Sequence, residues 1–122
     1  MSLHHIALIA SDEDKTRRFY ETLCFSVKER HERPEKHDTM LFMTDGDLTL
    51  EIFIKADCPA RPSYPEAYGL RHLALKIPDI GDAVRKLEDA GYSPEPVRRD
   101  TFSGERMTFV PDPDGLPVEL HE

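Results

Sequence analysis

Apolar and polar positions alternate in two short segments of the chain, "LHHIALIASD" at 3–12 and "LRHLALKIPD" at 70–79. Because successive side chains of a β-strand point to opposite faces, this alternation predicts a strand in each segment, the first over about 3–10. A helical period follows each strand at once, which indicates an amphipathic helix. The strand-then-helix order therefore occurs twice along the chain.

The two predicted helices have recognisable ends. The first spans about 12–24, with Ser11 as its N-cap and Asp14 three residues on, as in a capping box. Pro78-Asp79 opens the second helix, and Gly91 ends it. The apolar stripes consist of Phe19, Tyr20 and Leu23 in the first helix and of Ile80, Val84 and Leu87 in the second.

Three further strand-like runs follow each helix, so that each half of the chain is β-α-β-β-β. A chain that repeats this unit can form an eight-stranded curved sheet with its helices outside and a cup inside. The predicted fold class is therefore α+β, with two βαβββ modules in one domain over residues 1–122. The strands are predicted near 25–32, 38–44 and 47–55, the last two joined by a turn at "TDGD", and near 94–99, 105–111 and 116–121.

The two halves also repeat in sequence. With an offset of 67 positions, residues 5–26 lie over 72–93, and seven of these 22 aligned pairs are identical. A register shared over this length indicates two homologous modules, about 1–57 and about 68–122, joined by a proline-rich linker at about 58–67. The identical pairs are His5/His72, Ala7/Ala74, Leu8/Leu75, Asp12/Asp79, Arg18/Arg85, Glu21/Glu88 and Ser26/Ser93.

Two histidines and two glutamates fall on one face of the predicted strands, opposite the apolar face and directed into the cup. The separation from histidine to glutamate is 46 residues in the first module and 47 in the second. For any one of them an ordinary His–Glu ion pair is the simpler interpretation. For four in repeat register we favour a divalent metal site, because two imidazoles and two carboxylates suit a metal of borderline softness. The four are His5, Glu51, His72 and Glu119.

Composition then limits the classes of function. The net charge of −8, from 16 basic and 24 acidic residues, argues against a nucleic-acid partner, since no basic cluster offsets it. No apolar run is long enough to span a bilayer, and no charged-then-apolar leader precedes the first strand. We therefore expect a cytoplasmic protein without a membrane partner. Cys24 and Cys58 are isolated, which indicates neither a disulfide framework nor a metal site, and Cys24 is expected in the core.

These motifs together resemble the vicinal oxygen chelate superfamily, in particular its small glyoxalase I-like bacterial members (the glyoxalase/bleomycin resistance/dioxygenase group). The resemblance extends over the whole chain and has one departure: Cys24 stands where the family usually has a glycine, which suggests a differently shaped helix end. The matching stretches are "HHIALIASD…RRFYETLCF", "DLTLEIF", "GLRHLALKIPDI" and "DPDGLPVEL".

The resemblance implies a metal-dependent lyase or isomerase similar to lactoylglutathione lyase. One divalent ion (nickel, cobalt, zinc or manganese) would be held by the family's ligand positions, which fall on His5, Glu51, His72 and Glu119. Glu51 or Glu119 would act as the base that removes a proton next to a carbonyl, giving a metal-stabilised enediolate. The implied substrate is the hemithioacetal of a 2-oxoaldehyde and a small thiol.

Other branches of the family differ at the position of Glu51. Ring-cleaving dioxygenases and fosfomycin-inactivating transferases resemble a three-ligand pattern without it, epimerases tend to have glutamine there, and antibiotic-binding proteins usually lack the ligands. The His/Glu/His/Glu set is thus most similar to glyoxalase I. The alternatives are another metalloenzyme on this scaffold, such as an epimerase or dioxygenase acting on a small substrate, and a small-molecule-binding resistance protein.

Three arginines are candidates for binding an anionic group of the substrate: Arg61, Arg71 and Arg106. Arg106 is preferred, because it precedes a strand expected to face the cup. Arg71 and the aligned His4 are expected on the opposite side of their strands from the ligand histidines. Family members often form homodimers, and the ligands could meet within one chain or across two.

Overall fold

The computed structural model describes all residues from 1 to 122 and contains two α-helices and eight β-strands. The chain divides into two compact units, residues 1–59 and 60–122. Unit 1 contains β1 (Ile6–Ala10), α1 (Glu13–Thr22), β2 (Ser26–Arg33), a 3₁₀ turn (Pro34–Lys36), β3 (Asp38–Thr44) and β4 (Thr49–Ile54). Unit 2 contains β5 (Leu73–Lys76), α2 (Ile80–Asp89), β6 (Arg98–Arg99), β7 (Arg106–Pro111) and β8 (Pro117–His121).

Each unit is a four-stranded mixed sheet with one helix, and both sheets have the same topology. The strand order is β1-β4-β3-β2 in unit 1 and β5-β8-β7-β6 in unit 2. In each sheet the first strand runs parallel to the last strand of its unit, and the other pairs are antiparallel. The α+β class and the βαβββ modules predicted from the repeat are confirmed, with the eight strands distributed over two sheets.

The core of each unit lies on one face of its sheet. In β4, Leu50 and Ile52 are fully buried, together with Phe19 and Tyr20 of α1. The equivalent residues of unit 2 are also fully buried: Val118 and Leu120 from β8, with Ile80 and Leu87 from α2. The predicted apolar strand faces and helix stripes thus supply the core, except that Leu23 and Val84 of the stripes are only partly buried. Neither helix is long and apolar enough to cross a membrane.

Two predicted boundaries are wrong for local chemical reasons. The strand predicted near 94–99 is reduced to Arg98–Arg99, because Pro94 and Pro96 have no N–H to donate to a ladder. The N-cap of α1 is Asp12 and not Ser11, since the Asp12 carboxylate accepts a 2.8 Å hydrogen bond from the backbone N–H of Lys15.

The end of α1 also differs from expectation. Cys24 is exposed and adopts a left-handed conformation with φ of 68°, as does Gly91 after α2, with φ of 91°. Both ends close with the paired hydrogen bonds of a Schellman motif, here from Cys24 N–H to the Glu21 carbonyl and from Phe25 N–H to the Tyr20 carbonyl. The expectations of a buried Cys24 and of a differently shaped helix end are therefore both wrong. Cys24 performs the role of a glycine at some conformational cost.

We expect Cys24→Gly to stabilise unit 1, because a residue with a Cβ atom pays about 1 kcal/mol in the left-handed region that glycine does not. Urea unfolding monitored by circular dichroism should show a higher midpoint for this variant. Cys24→Ala is the matched control: it removes the exposed thiol but keeps Cβ, so its midpoint should stay at that of the parent chain. Equal midpoints for all three proteins would contradict this explanation.

Candidate functional site

The first histidine–glutamate pair lies on the face of the unit 1 sheet opposite its core. Ala7 of β1 pairs with Glu51 of the parallel strand β4, and His5 stands two residues before Ala7 on the same side. The Nε2 atom of His5 is 3.1 Å from a carboxylate oxygen of Glu51. The His5 side chain is 37% exposed and that of Glu51 only 17%, so the carboxylate lies deeper than the imidazole.

The second pair repeats this geometry in unit 2. Ala74 of β5 pairs with Glu119 of β8, and His72 stands two residues before Ala74. The Nε2 atom of His72 is 2.9 Å from a Glu119 carboxylate oxygen, with side-chain exposures of 26% and 12%. The internal repeat is thus visible as an identical strand register, and each register brings one imidazole and one carboxylate into contact.

Exposure distinguishes these two pairs from an ordinary surface pair. His31 and Glu29 also lie 3.0 Å apart, but both are neighbours on β2 and their side chains are 56% and 53% exposed. That contact joins two residues of one strand, whereas the other two pairs each join two strands and hold a carboxylate mostly out of water. A carboxylate so placed has lost part of its hydration, and a hydrogen-bonding partner or ligand compensates this loss.

The second ring nitrogens of the two histidines have different surroundings. The Nδ1 atom of His5 lies 2.8 Å from Nδ1 of His4, so that one ring donates and the other accepts. The Nδ1 atom of His72 is buried without a partner, and its ring meets Phe109 edge to face with centroids 5.2 Å apart. His4 was expected on the opposite side of the strand from His5. The structure instead places the two rings in contact.

The four residues fit a divalent metal by their chemistry. In each pair the Nε2 atom lies 2.9 to 3.1 Å from a carboxylate oxygen, so that two atoms able to bind a metal are adjacent. Imidazole nitrogen and carboxylate oxygen together suit zinc, nickel, cobalt or manganese. Each unit by itself contributes two donors, and the structure contains no group of three or more His, Cys, Asp or Glu side chains arranged for a metal. A shared four-ligand site stays a prediction.

A cationic cluster occupies the same face of the unit 1 sheet. The buried carboxylate of Asp38 accepts two 2.7 Å hydrogen bonds from Arg33 and has Lys55 at 3.3 Å. Arg33 also lies over the ring of Phe53, 5.1 Å from its centroid. Hydrogen bonding to Arg33, and secondarily to Lys55, holds the pKa of Asp38 below its ordinary value. Arg33 and Lys55 thus compensate the charge of the buried carboxylate.

The contact between Arg33 and Asp38 predicts a pH dependence of stability. A carboxyl whose pKa is lower in the folded state stabilises the fold above its unfolded pKa of about 4 and loses this contribution as the pH falls through the folded value. We therefore expect Asp38→Asn to lower the urea midpoint at pH 7 and to flatten its decline below pH 4. The exposed Asp57→Asn should leave both unchanged. A decline at low pH equally steep in Asp38→Asn would contradict this assignment.

Arg106 does not lie on the face of unit 2 that carries His72 and Glu119. In the β7–β8 register Phe109 is opposite Glu119, so Arg106 points to the other side of the sheet with the core. Its guanidinium forms a two-pronged ion pair with Glu122, which also accepts a hydrogen bond from the backbone N–H of Ile80 at the start of α2. Substrate binding by Arg106 was predicted because its strand was expected to face the cup. The register shows that Arg106 itself lies on the core face, so this reason for the prediction is wrong.

Arg61 and Arg71 instead line a cavity of about 390 Å³ in unit 2, together with His72. The expectation that Arg71 lies on the opposite side from His72 does not hold, because the segment before β5 is not a strand and does not alternate. Two further lining residues, Arg98 and Phe109, are not among the site residues predicted from the sequence. Their only sequence signal is the alignment of Phe42 with Phe109. The cavity adjoins one of the two candidate metal-binding pairs.

Comparison with known proteins gives a family match and several similar chains. Residues 2–120 match the family described as the Glyoxalase/Bleomycin resistance protein/Dioxygenase superfamily. The chain is 42% identical over 123 residues to "Uncharacterized protein YwkD" of Bacillus subtilis (strain 168), covering 99% of this chain and 96% of that protein. A crystal structure of a glyoxalase family protein from Enterococcus faecalis superimposes with a TM-score of 0.92 at 51% identity, covering 99% of this chain and 97% of that one.

A more distant relative has a named activity. The "Probable lactoylglutathione lyase" of Synechocystis sp. (strain ATCC 27184 / PCC 6803 / Kazusa) is 28% identical over 126 residues, covering 98% of this chain and 94% of that protein.

Proposed function

Since the chain belongs to the Glyoxalase/Bleomycin resistance protein/Dioxygenase superfamily, we propose that it is a metal-dependent lyase or isomerase of the glyoxalase I type. The observation that carries the proposal is the repeated His–Glu contact, at the same strand register in both units and with both carboxylates largely shielded. A structural ion pair need not recur in this way, whereas a ligand set built from two equivalent modules does.

In this proposal the two pairs hold one divalent ion, either within one chain or between two copies of it. The ligands are His5, Glu51, His72 and Glu119. A bound divalent metal supplies Lewis acidity, which stabilises negative charge developing on a substrate oxygen. Nickel, cobalt, zinc and manganese all accept this mixture of nitrogen and oxygen donors.

The reaction is an isomerisation in which one proton moves between neighbouring carbons and one moves from the hemithioacetal hydroxyl to the former carbonyl oxygen. Glu51 or Glu119 takes the proton from the carbon next to the carbonyl, and the same carboxyl returns it to the adjacent carbon. Both carboxylates are suited to this role, because they are less exposed than their histidine partners and so are partly shielded from water.

The substrate proposed is the hemithioacetal of a 2-oxoaldehyde with a small thiol. The product would be a 2-hydroxyacyl thioester. Support comes from the likeness to the probable lactoylglutathione lyase of Synechocystis at 28% identity. The proposal places the enzyme in the cytoplasm as a homodimer. Edge strands in both sheets, among them β1 and β5, have backbone groups available for pairing with another copy.

The function is tested by metal analysis and by turnover of methylglyoxal with a panel of thiols. Purified protein should contain one equivalent of divalent metal per site and lose its activity on chelation. Activity should return with one or more of nickel, cobalt, zinc and manganese. Glu51→Gln and Glu119→Gln should each lower kcat by about a hundredfold or more, as expected for loss of a base or ligand. Glu29→Gln, from the exposed His–Glu pair, is the matched control and should retain full activity.

Two outcomes would overturn the lyase assignment. Protein without stoichiometric metal, whose ligand binding is unaffected by Glu51→Gln, would be a small-molecule-binding protein. Protein that binds metal at the four residues but is inert with every thiol and metal would be another metalloenzyme on this fold, such as an epimerase or dioxygenase.

The contact between His4 and His5 generates a separate prediction about metal affinity. Partners on the second nitrogen of a ligating histidine orient the ring, and their loss typically weakens metal binding about tenfold or more. His4→Ala should therefore weaken binding of the metal, measured by competition with a chromophoric chelator. His31→Ala, an exposed histidine on β2, should not. Equal affinities in the two variants would show that the His4 contact does not orient His5.

A further inference from the structure

The cavity of unit 2 has the size and walls of a binding site for a small molecule. Its volume of about 390 Å³ lies at the lower end of the range in which small ligands are bound. The segment 61–72 forms one wall, with Arg61, Tyr64 and His72 among the lining residues. The other wall comes from the sheet of unit 2 and includes Arg98 and Phe109.

Arg61 has donors that the protein does not satisfy. One of its terminal nitrogens donates to the backbone carbonyls of Leu70 and Arg71, at 2.9 and 2.8 Å. Its Nε is buried and has no hydrogen-bond partner, and the residue forms no ion pair. Because Arg61 lines the cavity and its guanidinium charge has no carboxylate partner in the chain, an anion in the cavity would be bound favourably here.

The other two arginines of the cavity are neutralised only by exposed carboxylates. Arg71 pairs with Glu66 and Arg98 pairs with Glu95, and the two glutamate side chains are 55% and 54% exposed. Three guanidinium groups therefore face two carboxylates in this lining, although the whole chain has a net charge of −8. Among the three, Arg61 is the guanidinium without a carboxylate partner, which favours an anion beside it.

An apolar surface lies beside these cations. Arg98 is stacked over the ring of Phe109, 5.5 Å from its centroid, and the lining continues through Pro111 and Pro117. Phe109 also meets the ring of His72 edge to face. A ligand with a compact anionic group and a small apolar body would contact both parts of this wall.

We propose that this cavity binds a small organic acid, whose carboxylate is held by Arg61 and Arg98 and whose apolar part lies against Phe109. The assignment of this anionic group to part of the substrate rests on the proposed function, because His72 is shared between the cavity and the candidate metal-binding pair. Arg61 and Arg98 are then the residues that select a charged substrate over a neutral carbonyl compound.

The test uses metal-free full-length protein, so that binding is measured apart from turnover. Mandelate is the probe, because it is a 2-hydroxy acid with an aromatic body, and mandelamide is its neutral counterpart. Phenyl phosphate distinguishes a phosphate site from a carboxylate site. Binding is followed by calorimetry and by the NMR signals of the arginine Nε–H groups.

Mandelate should bind about tenfold more tightly than mandelamide and should shift the Arg61 and Arg98 signals, because a hydrogen bond between charged groups contributes about this factor or more. Arg98→Gln should weaken mandelate binding about tenfold. Arg61→Lys should also weaken it while keeping a donor for the two carbonyls that Arg61 binds. Arg99→Gln is the matched control, since Arg99 is the next residue of the same strand, does not line the cavity, and should keep its affinity.

Three results would overturn the proposal: equal binding of mandelate and mandelamide, equal loss in Arg98→Gln and Arg99→Gln, or arginine signals that do not move. Tighter binding of phenyl phosphate than of mandelate would overturn the carboxylate assignment in favour of a phosphate ester. Loss of anion binding with an intact metal site and lyase activity would refute this inference alone. Retained anion binding in a protein without lyase activity would refute only the proposed function.

Discussion

The strand register of the parallel pair in each unit is the constraint on which the candidate site depends. Ala7 pairs with Glu51 and Ala74 pairs with Glu119, so each glutamate lies opposite the second residue of the neighbouring strand. A histidine stands directly before the first residue of that strand. A slip of one residue would turn each carboxylate to the core face and the flanking apolar residues away from it. The cost of exposing those apolar residues prevents the slip. The packing of the core thus specifies the register, and the register specifies the polar contact.

Much of the fold and the positions of the histidines and glutamates on their strands could be predicted from two signals in the sequence, the alternation and the repeat. Alternation along a strand assigns faces without knowledge of the partner strand, and the repeat supports the assignment by giving it twice. The position of Arg106 could not be obtained in this way, since the parity of β7 follows from its pairing with β8. Glu122, directly after the last paired residue of β8, then holds Arg106 on the core side. No local pattern encodes that contact.

Periodicity could not predict the cavity wall formed by residues 61–72, for a different reason. Arg61 bonds to the carbonyls of Leu70 and Arg71, nine and ten residues ahead, and this contact shapes a segment with no helix or strand. Proline-rich sequence correctly predicted the absence of regular structure, but it carries no period from which a side chain's direction could be calculated. For Cys24 the sequence did contain the necessary signal, but the signal was not used. The repeat aligns Cys24 with Gly91, and this alignment indicates a left-handed conformation at Cys24.

The two units share a scaffold but differ in the charges that surround their His–Glu pairs. In unit 1, Arg33 and Lys55 are both paired with the buried carboxylate of Asp38. In unit 2, the arginines line a cavity, and Arg61 has no carboxylate partner at all. A cation that is already neutralised stabilises the fold, while one that is not can stabilise a ligand. Duplication of one module therefore gives the same His–Glu contact in both units, while the charged groups around the two contacts differ.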